Sequence, residues 1–316
     1  MESNPVVSRC KRICEKNARE TLCVIQAGYY KSKDQKSKTE ISLPNTTLYL
    51  EENIIKHLKL RIKDPYVPLT NRFVRQYAVP GTYNTNITVV NDSSLVAAHK
   101  LRESYPNDRI CVLNFASAKN PGGGFLNGAQ AQEESLARTS TLYSSLSDAK
   151  CFYDINEAAK SRVYTHNIIY SENVTVFRDS SAEENLLKTP YIVDIVSCPA
   201  VNRRLTKSSI KDTIVDDVMI ERTRMIFSVT KKHDVGHLVL GAWGCGVFGN
   251  SPQFVCNMFL DELKEDFKGT FKSVVFAVIG DENYKCFQET LGQPSRFLKE
   301  ESDQESDDEL YVENVE

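Results

Sequence analysis

Glu133 and Glu134 are adjacent acids that follow three consecutive glycines, Gly122, Gly123 and Gly124, with seven residues and then Gln132 between them. Paired carboxylates suit general acid–base work at a scissile bond. Neighbouring residues on a helix lie about 100° apart, so one acid can point at a scissile bond while the other holds a nearby hydroxyl. Close carboxylates also raise each other's pKa, which helps one of them keep a proton near neutral pH. A simpler cause competes, because acids in a first helical turn are favoured by the helix dipole by roughly 0.3–1 kcal/mol. The glycines add a second kind of chemistry. Backbone without side chains approaches a ligand closely and offers free N–H groups to phosphate or ribose oxygens.

A second glycine-rich loop, from Gly241 through Gly244, Gly246 and Gly249, ends at Ser251-Pro252. Its Gly-x-Gly-x-x-Gly spacing formally matches a dinucleotide fingerprint, but the helix start argues against that reading. Ser251 is a natural N-cap and Pro252 a natural first helical residue, so the helix begins after all three glycines. The loop then wraps a ligand, with a helix N-terminus aimed at negative charge.

The elements that must position these loops alternate between strand and helix. ITVVN (87–91), RICVLNFA (109–116), YIVDIVSCPA (191–200), HLVLGAW (237–243) and SVVFAVIG (273–280) read as buried strands. Both glycine loops leave the C-terminal end of such a strand, where open α/β sheets bind ligands. Helical spacing predicts helices through Leu95 and Leu101, Leu136 to Leu146, 214–230 and 252–267, and Ser93 or Ser94 is a candidate cap for the first. The first thirty residues also read as helix, 31–48 as a polar excursion with one or two short strands, and 150–190 as a loose polar region. No repeat or linker divides 1–298. The expected fold is one α/β unit: an N-terminal helical extension over 1–90 packed on a core over 87–298, with an appended tail.

The 316 residues carry 39 basic and 42 acidic groups, a net charge of −3. That total hides two unlike parts. Residues 299–316 hold nine acids and one lysine, a charge of −8, and are expected to be disordered. The remaining 298 residues are left with a net +5, which suits a polyanionic ligand. An apolar fraction of 41% excludes wholesale disorder, and no apolar run approaches the roughly 20 residues of a membrane span. Nine cysteines without a CxxC pair fit neither a disulfide framework nor a zinc ribbon. With no secretory signal at the start, an intracellular place, cytoplasmic or nuclear, is expected.

The motif NPGGG-x7-QEE resembles the signature loop of poly(ADP-ribose) glycohydrolases. Its setting, VLNFASAKNPGGGFLNGAQAQEESLARTSTLY together with LVLGAWGCGVFGNSP, is similar to the compact microbial-type branch, as are ARETLCVIQAGYY, VFRD and SCPAVN. The resemblance spans roughly 10–295. It implies a macrodomain-like mixed central sheet flanked by helices, and hydrolysis of ribose–ribose bonds in poly(ADP-ribose) with release of ADP-ribose. Residue by residue, it implies that Glu134 is the catalytic acid and base and that Glu133 and Gln132 help fix the substrate. Gly122, Gly123 and Gly124 would surround the distal ribose and diphosphate, with Asn120 near ribose. Gly244, Cys245, Gly246 and Val247 would form the diphosphate loop, and Phe248 would close on ribose. The implied partners are poly(ADP-ribose) or ADP-ribosylated proteins, acted on by a monomer with no membrane, no cofactor and no metal.

Two other functions stay open on the residues alone: hydrolysis of mono-ADP-ribose, and non-catalytic reading of ADP-ribose, which needs both loops but not the acids. Remaining residues take plainer roles. Cys245 fits a tight loop, Trp243 lies in the core, His233 and His237 are surface or capping groups, and Arg138 pairs with phosphate or with Glu134 one turn back.

Overall fold

The computed structural model describes residues 5–292 apart from 33, 34, 36, 207 and 208, and the acidic segment 299–316 lies outside the described residues. The chain opens with helix α1 (Pro5–Ala27) and a small ribbon, β1 (Tyr29–Tyr30) with β2 (Thr39–Glu40). There follow β3 (Asn45–Glu51), α2 (Glu52–His57), β4 (Tyr66–Leu69), α3 (Asn71–Tyr77), β5 (Asn86–Val90), α4 (Ser94–Ser104) and β6 (Ile110–Phe115). A 3-10 turn (Phe125–Asn127) precedes α5 (Gln132–Thr139), α6 (Leu142–Asp148) and α7 (Lys150–Ala159). The long hairpin β7 (Ile168–Arg178) and β8 (Leu186–Cys198) leads to α8 (Arg203–Thr206) and α9 (Asp212–Lys232). Then come β9 (His237–Leu240), α10 (Pro252–Lys264), β10 (Ser273–Ala277) and α11 (Asp281–Leu291).

Eight strands form one mixed sheet in the order β4-β3-β7-β8-β6-β9-β10-β5. From β8 to β5 every pairing is parallel, while β7 runs antiparallel to both β3 and β8. Alternation along each strand divides the core between two faces. Cys111, Leu113, Leu238, Leu240, Val274 and Phe276 pack under α9 and α10, whereas Ile110, Val112, Val239 and Val275 pack under α4 and α5–α7. This is the mixed sheet flanked by helices that the sequence led us to expect. Among the described residues no helix is long and apolar enough to cross a membrane.

The topology fixes where a ligand goes. Strands β6 and β9 are parallel neighbours, with Val112 opposite Val239. After β6 the chain crosses to the β7–β8 side, and after β9 it crosses to β10 on the other. Connections that depart in opposite directions from adjacent strand ends leave a crevice between them. Both glycine loops border that crevice.

Three local readings differ from the structure. The first ninety residues are not helical throughout: β3 and β4 extend the main sheet past β7. The stretch 150–190 is not loose, since α7 and most of β7 are buried there. Its polar residues blurred the pattern because they are satisfied inside, as when Ser171 Oγ meets Ser145 Oγ at 2.6 Å. The single helix expected from Leu136 to Leu146 is broken at Ser140, which is extended (φ −145°, ψ 178°) and bridges to Val176. The caps hold elsewhere: Ser93 Oγ accepts from Val96 N and Ser251 Oγ from Phe254 N, with Pro252 in the first turn.

Candidate active site

A cavity of about 610 Å³ sits at the crevice, lined from one side by Asn120, Gly123, Gly124, Gln132, Glu133 and Glu134 and from the other by Gly244, Gly246, Val247 and Phe248. Phe115, Ala200 and Ala242 form its floor. The two loops thus close on one volume although more than a hundred residues separate them in the chain.

The first loop is built around its acids. Gly122 and Gly123 take left-handed backbone, with φ +67° and +59°. A Cβ on Gly123 would lie 2.3 Å from Glu134 Oε1 and 3.1 Å from Glu133 Oε2, so a larger residue there would have to push the Glu134 carboxylate aside. The Gly124 N–H donates to Glu134 Oε1 at 2.9 Å. Gln132 fastens the start of α5 to β6, since Phe115 N donates to its Oε1 at 2.9 Å and its Nε2 donates to Leu113 O at 2.8 Å. The amide that the resemblance assigns to substrate is therefore committed to backbone, and Gln132 acts by placing the two acids behind it.

The acids occupy unlike surroundings. Glu133 is 4% exposed; its Oε2 accepts from Ser117 N at 2.8 Å and its Oε1 from Asn114 Nδ2 at 3.4 Å. Burial pushes its pKa up to about 8, against the lowering effect of the Ser117 and Asn114 bonds, and the neighbouring Glu134 adds to the rise. Glu134 is only partly buried and lines the cavity. Asn114 was not singled out from the sequence. A polar residue inside the apolar run VLNF was the available signal, and its amide links Glu133 to Ser197 Oγ at 3.0 Å while its own Oδ1 has no partner among the described residues.

The second loop is held from behind. Asn250 Nδ2 donates to Val201 O at 2.9 Å and to Gly244 O at 3.1 Å, which pins the turn at Gly244 (φ +72°). Gly246 has nothing within 4 Å of where a Cβ would stand, and Val247 is 75% exposed. Cys245 turns away from the cavity, and burial pushes its thiol up to about 12, so it is no nucleophile. Trp243 is fully buried, its Nε1 donating to Cys198 O at 3.1 Å beneath the loop.

Two further expectations need correction. Arg138 does not pair with Glu134; it forms a buried pair with Glu184 at 2.9 Å and donates to Ala129 O, bracing the end of the first loop. His237 is not on the surface: it is 1% exposed, between Ser273 Oγ (2.7 Å) and Asp108 Oδ2 (2.9 Å), whereas His233 does cap the end of α9, with its ring stacked on Tyr170 at 3.7 Å. Both belong to the N-terminal end of the parallel strands, opposite the cavity. Helix α1 adds a brace that spacing alone did not show. Its Ala18 packs on Phe125 and Ala137, and its Lys11 carbonyl would stand 2.8 Å from a Cβ on Gly128.

Taken together, a mixed sheet carries two acids and two glycine loops around one cavity at its crevice. Residues 18–179 match the family model of the microbial-type poly(ADP-ribose) glycohydrolase catalytic domain. The chain belongs to that family. It is similar to the poly(ADP-ribose) glycohydrolase of Thermomonospora curvata bound to the inhibitor ADP-HPD, at 33% identity over 87% of this chain and 98% of that one, with a TM-score of 0.73. A structure of the Deinococcus radiodurans glycohydrolase in complex with ADP-ribose is 35% identical over 78% of this chain and 94% of that one, with a TM-score of 0.66. No curated protein matches the chain.

Proposed function

We propose that Glu134 is the general acid and base of a poly(ADP-ribose) glycohydrolase that cleaves ribose–ribose O-glycosidic bonds and releases ADP-ribose. Family membership makes the chain a glycoside hydrolase of this type. The observation that carries the residue assignment is the Gly123–Glu134 fit, because it sets a partly exposed carboxylate against the loop that meets the diphosphate-type loop across one cavity. In the first half-reaction the Glu134 carboxyl gives its proton to the glycosidic oxygen as the C–O bond to the anomeric carbon breaks. In the second, water adds to the oxocarbenium-like sugar and the Glu134 carboxylate takes the water proton, which restores the acid.

Glu133 is unsuited to attack the sugar, since both its oxygens already accept hydrogen bonds and it is buried. A carboxyl held near pKa 8 is largely protonated at neutral pH and can donate to a ribose hydroxyl. Gly123 and Gly124 then face ribose and diphosphate, Gly122 turns toward Phe125 and Ala137 behind them, Gly246 and Val247 face diphosphate, and Phe248 closes on ribose. We infer that the helices of 1–90 and the core act as one unit, since α1 seats on the first loop. All nine cysteines are free thiols, which supports an intracellular place of action.

The test is parallel incubation with poly(ADP-ribose) and with mono-ADP-ribosylated protein. Release of ADP-ribose from the polymer supports the reading; clearance of the mono-modified protein alone overturns it.

A further inference from the structure

The outer face of α1 presents a feature the catalytic reading leaves unused. Its inner face, with Cys14, Asn17, Ala18 and Thr21, is buried against the first loop and α5. Opposite them Arg9, Arg12, Lys16 and Arg19 are all exposed, at spacings of three, four and three residues. At 100° per residue these four cations fall within an arc of about 80° and span about 15 Å along the helix axis. The acids of this stretch lie to either side. Glu15 pairs with Lys11 at 3.9 Å, and Glu20 reaches Lys16 at 3.6 Å and Arg178 at 2.9 Å. The Lys11–Glu15 and Lys16–Glu20 pairs are exposed and one turn apart, and pairs of that kind hold little energy and yield readily to a polyanion, whereas Arg178 is buried and holds Glu20 from the core side.

The position of this stripe relative to the cavity is fixed. The Lys11 carbonyl abuts Gly128, next to Asn127, which lines the catalytic cavity. Cys10, beside Arg9, lines an adjoining cavity of about 540 Å³ that shares Phe115, Ala131 and Gln132 with the catalytic one. Arg9, at one end of the stripe, is therefore one residue from the rim of that adjoining cavity, and the row runs from there along the far side of α1.

We propose that this face of α1 is a docking track for the ADP-ribose units that remain outside the cavity while one unit is cleaved. The inference rests on the glycohydrolase reading and adds where the rest of the substrate lies. A cavity of 610 Å³ takes one nucleotide-sugar-sized unit. Every further unit of a longer chain carries its diphosphate into solvent, and a row of cations at helical spacing meets a repeating anion there with no demand on base or sugar identity. Such contacts release counterions, so their strength falls steeply with salt.

The experiment uses the full chain and its Arg9→Gln/Lys16→Gln/Arg19→Gln variant, on size-fractionated poly(ADP-ribose) of long and short chain length. The variant is expected to bind free ADP-ribose as the wild type does and to keep its kcat. Its KM on long chains should rise about tenfold at low salt, and the slope of log KM against log salt should fall by about 2, while short chains show little change. Equal changes in KM for both chain lengths, or none for either, overturn the track. A second readout needs no variant: wild-type KM must depend on salt more steeply for long chains than for short ones, and equal slopes also overturn it. Failure of the wild type to release ADP-ribose from chains of any length sinks the functional reading instead, so the two failures are told apart.

Discussion

The two glycine loops meet at one cavity but use glycine for opposite reasons. In the first loop the space beside Gly123 is already full, because Glu134 Oε1 would lie 2.3 Å from a Cβ there. In the second loop the space beside Gly246 is empty to 4 Å. Glycine in the first loop lets the protein fold its own carboxylate against its backbone. Glycine at Gly246 leaves room for something that is not protein. On the proposed assignment one loop is shaped by the catalyst and the other by the ligand, so substitutions in the two should separate folding, binding and turnover.

The largest effect should come from Glu134→Gln, which removes the proton donor without changing the shape of the first loop. Turnover of poly(ADP-ribose) should fall by about 10²–10⁴-fold, with ADP-ribose affinity by calorimetry retained. A variant that still turns over at the wild-type rate would remove Glu134 from the mechanism.

Gly123→Ala should damage folding and turnover together. It places a methyl on the Glu134 carboxylate and strains a residue at φ +59°. The melting temperature and kcat should both drop; an unchanged melting temperature breaks the contrast between the loops. Gly246→Val should do the reverse. With open space at that position, stability should stay within about 0.5 kcal/mol. ADP-ribose affinity should weaken by tenfold or more through crowding of the diphosphate. Unchanged affinity would contradict the assignment of this loop to the ligand.

The smallest effect concerns the buried acid and depends on pH. The Glu133 pKa rises from 4.5 to about 8 on folding, so between those values the folded chain holds more protons than the unfolded one. Stability contributed at this site therefore falls as pH rises from about 4.5 to about 8. Glu133→Gln should abolish that loss, and its Nε2 can donate to the unpartnered Asn114 Oδ1. The variant should melt higher than wild type at pH 8 and equally at pH 4. Equal melting temperatures at both pH values would mean that Glu133 is not buried in a strained, proton-holding state.

The same contrast explains what the sequence disclosed. Strands β5, β6, β8, β9 and β10 were legible as β-branched apolar runs, and the α10 start was legible from Ser251-Pro252, because both signals are local. Both loops could be placed at strand ends for the same reason. Strand β7 was hidden because its polar residues Ser171 and Thr175 are buried, satisfied by partners far along the chain. The roles of Arg138, His237 and Asn114 were hidden likewise. Each depends on a partner, Glu184, Asp108 or Ser197, that no local spacing reveals. The two acids were visible as a pair, but which of them is buried depends on Asn114 and Ser117, and only folding brings those to Glu133.

The most direct measurement is a time course of ADP-ribose release from poly(ADP-ribose) by wild type and Glu134→Gln, beside calorimetry of ADP-ribose binding to both. The account predicts release by the wild type alone, with near-equal binding by the two. Release by both proteins at similar rates, or loss of binding in step with loss of turnover, would contradict it.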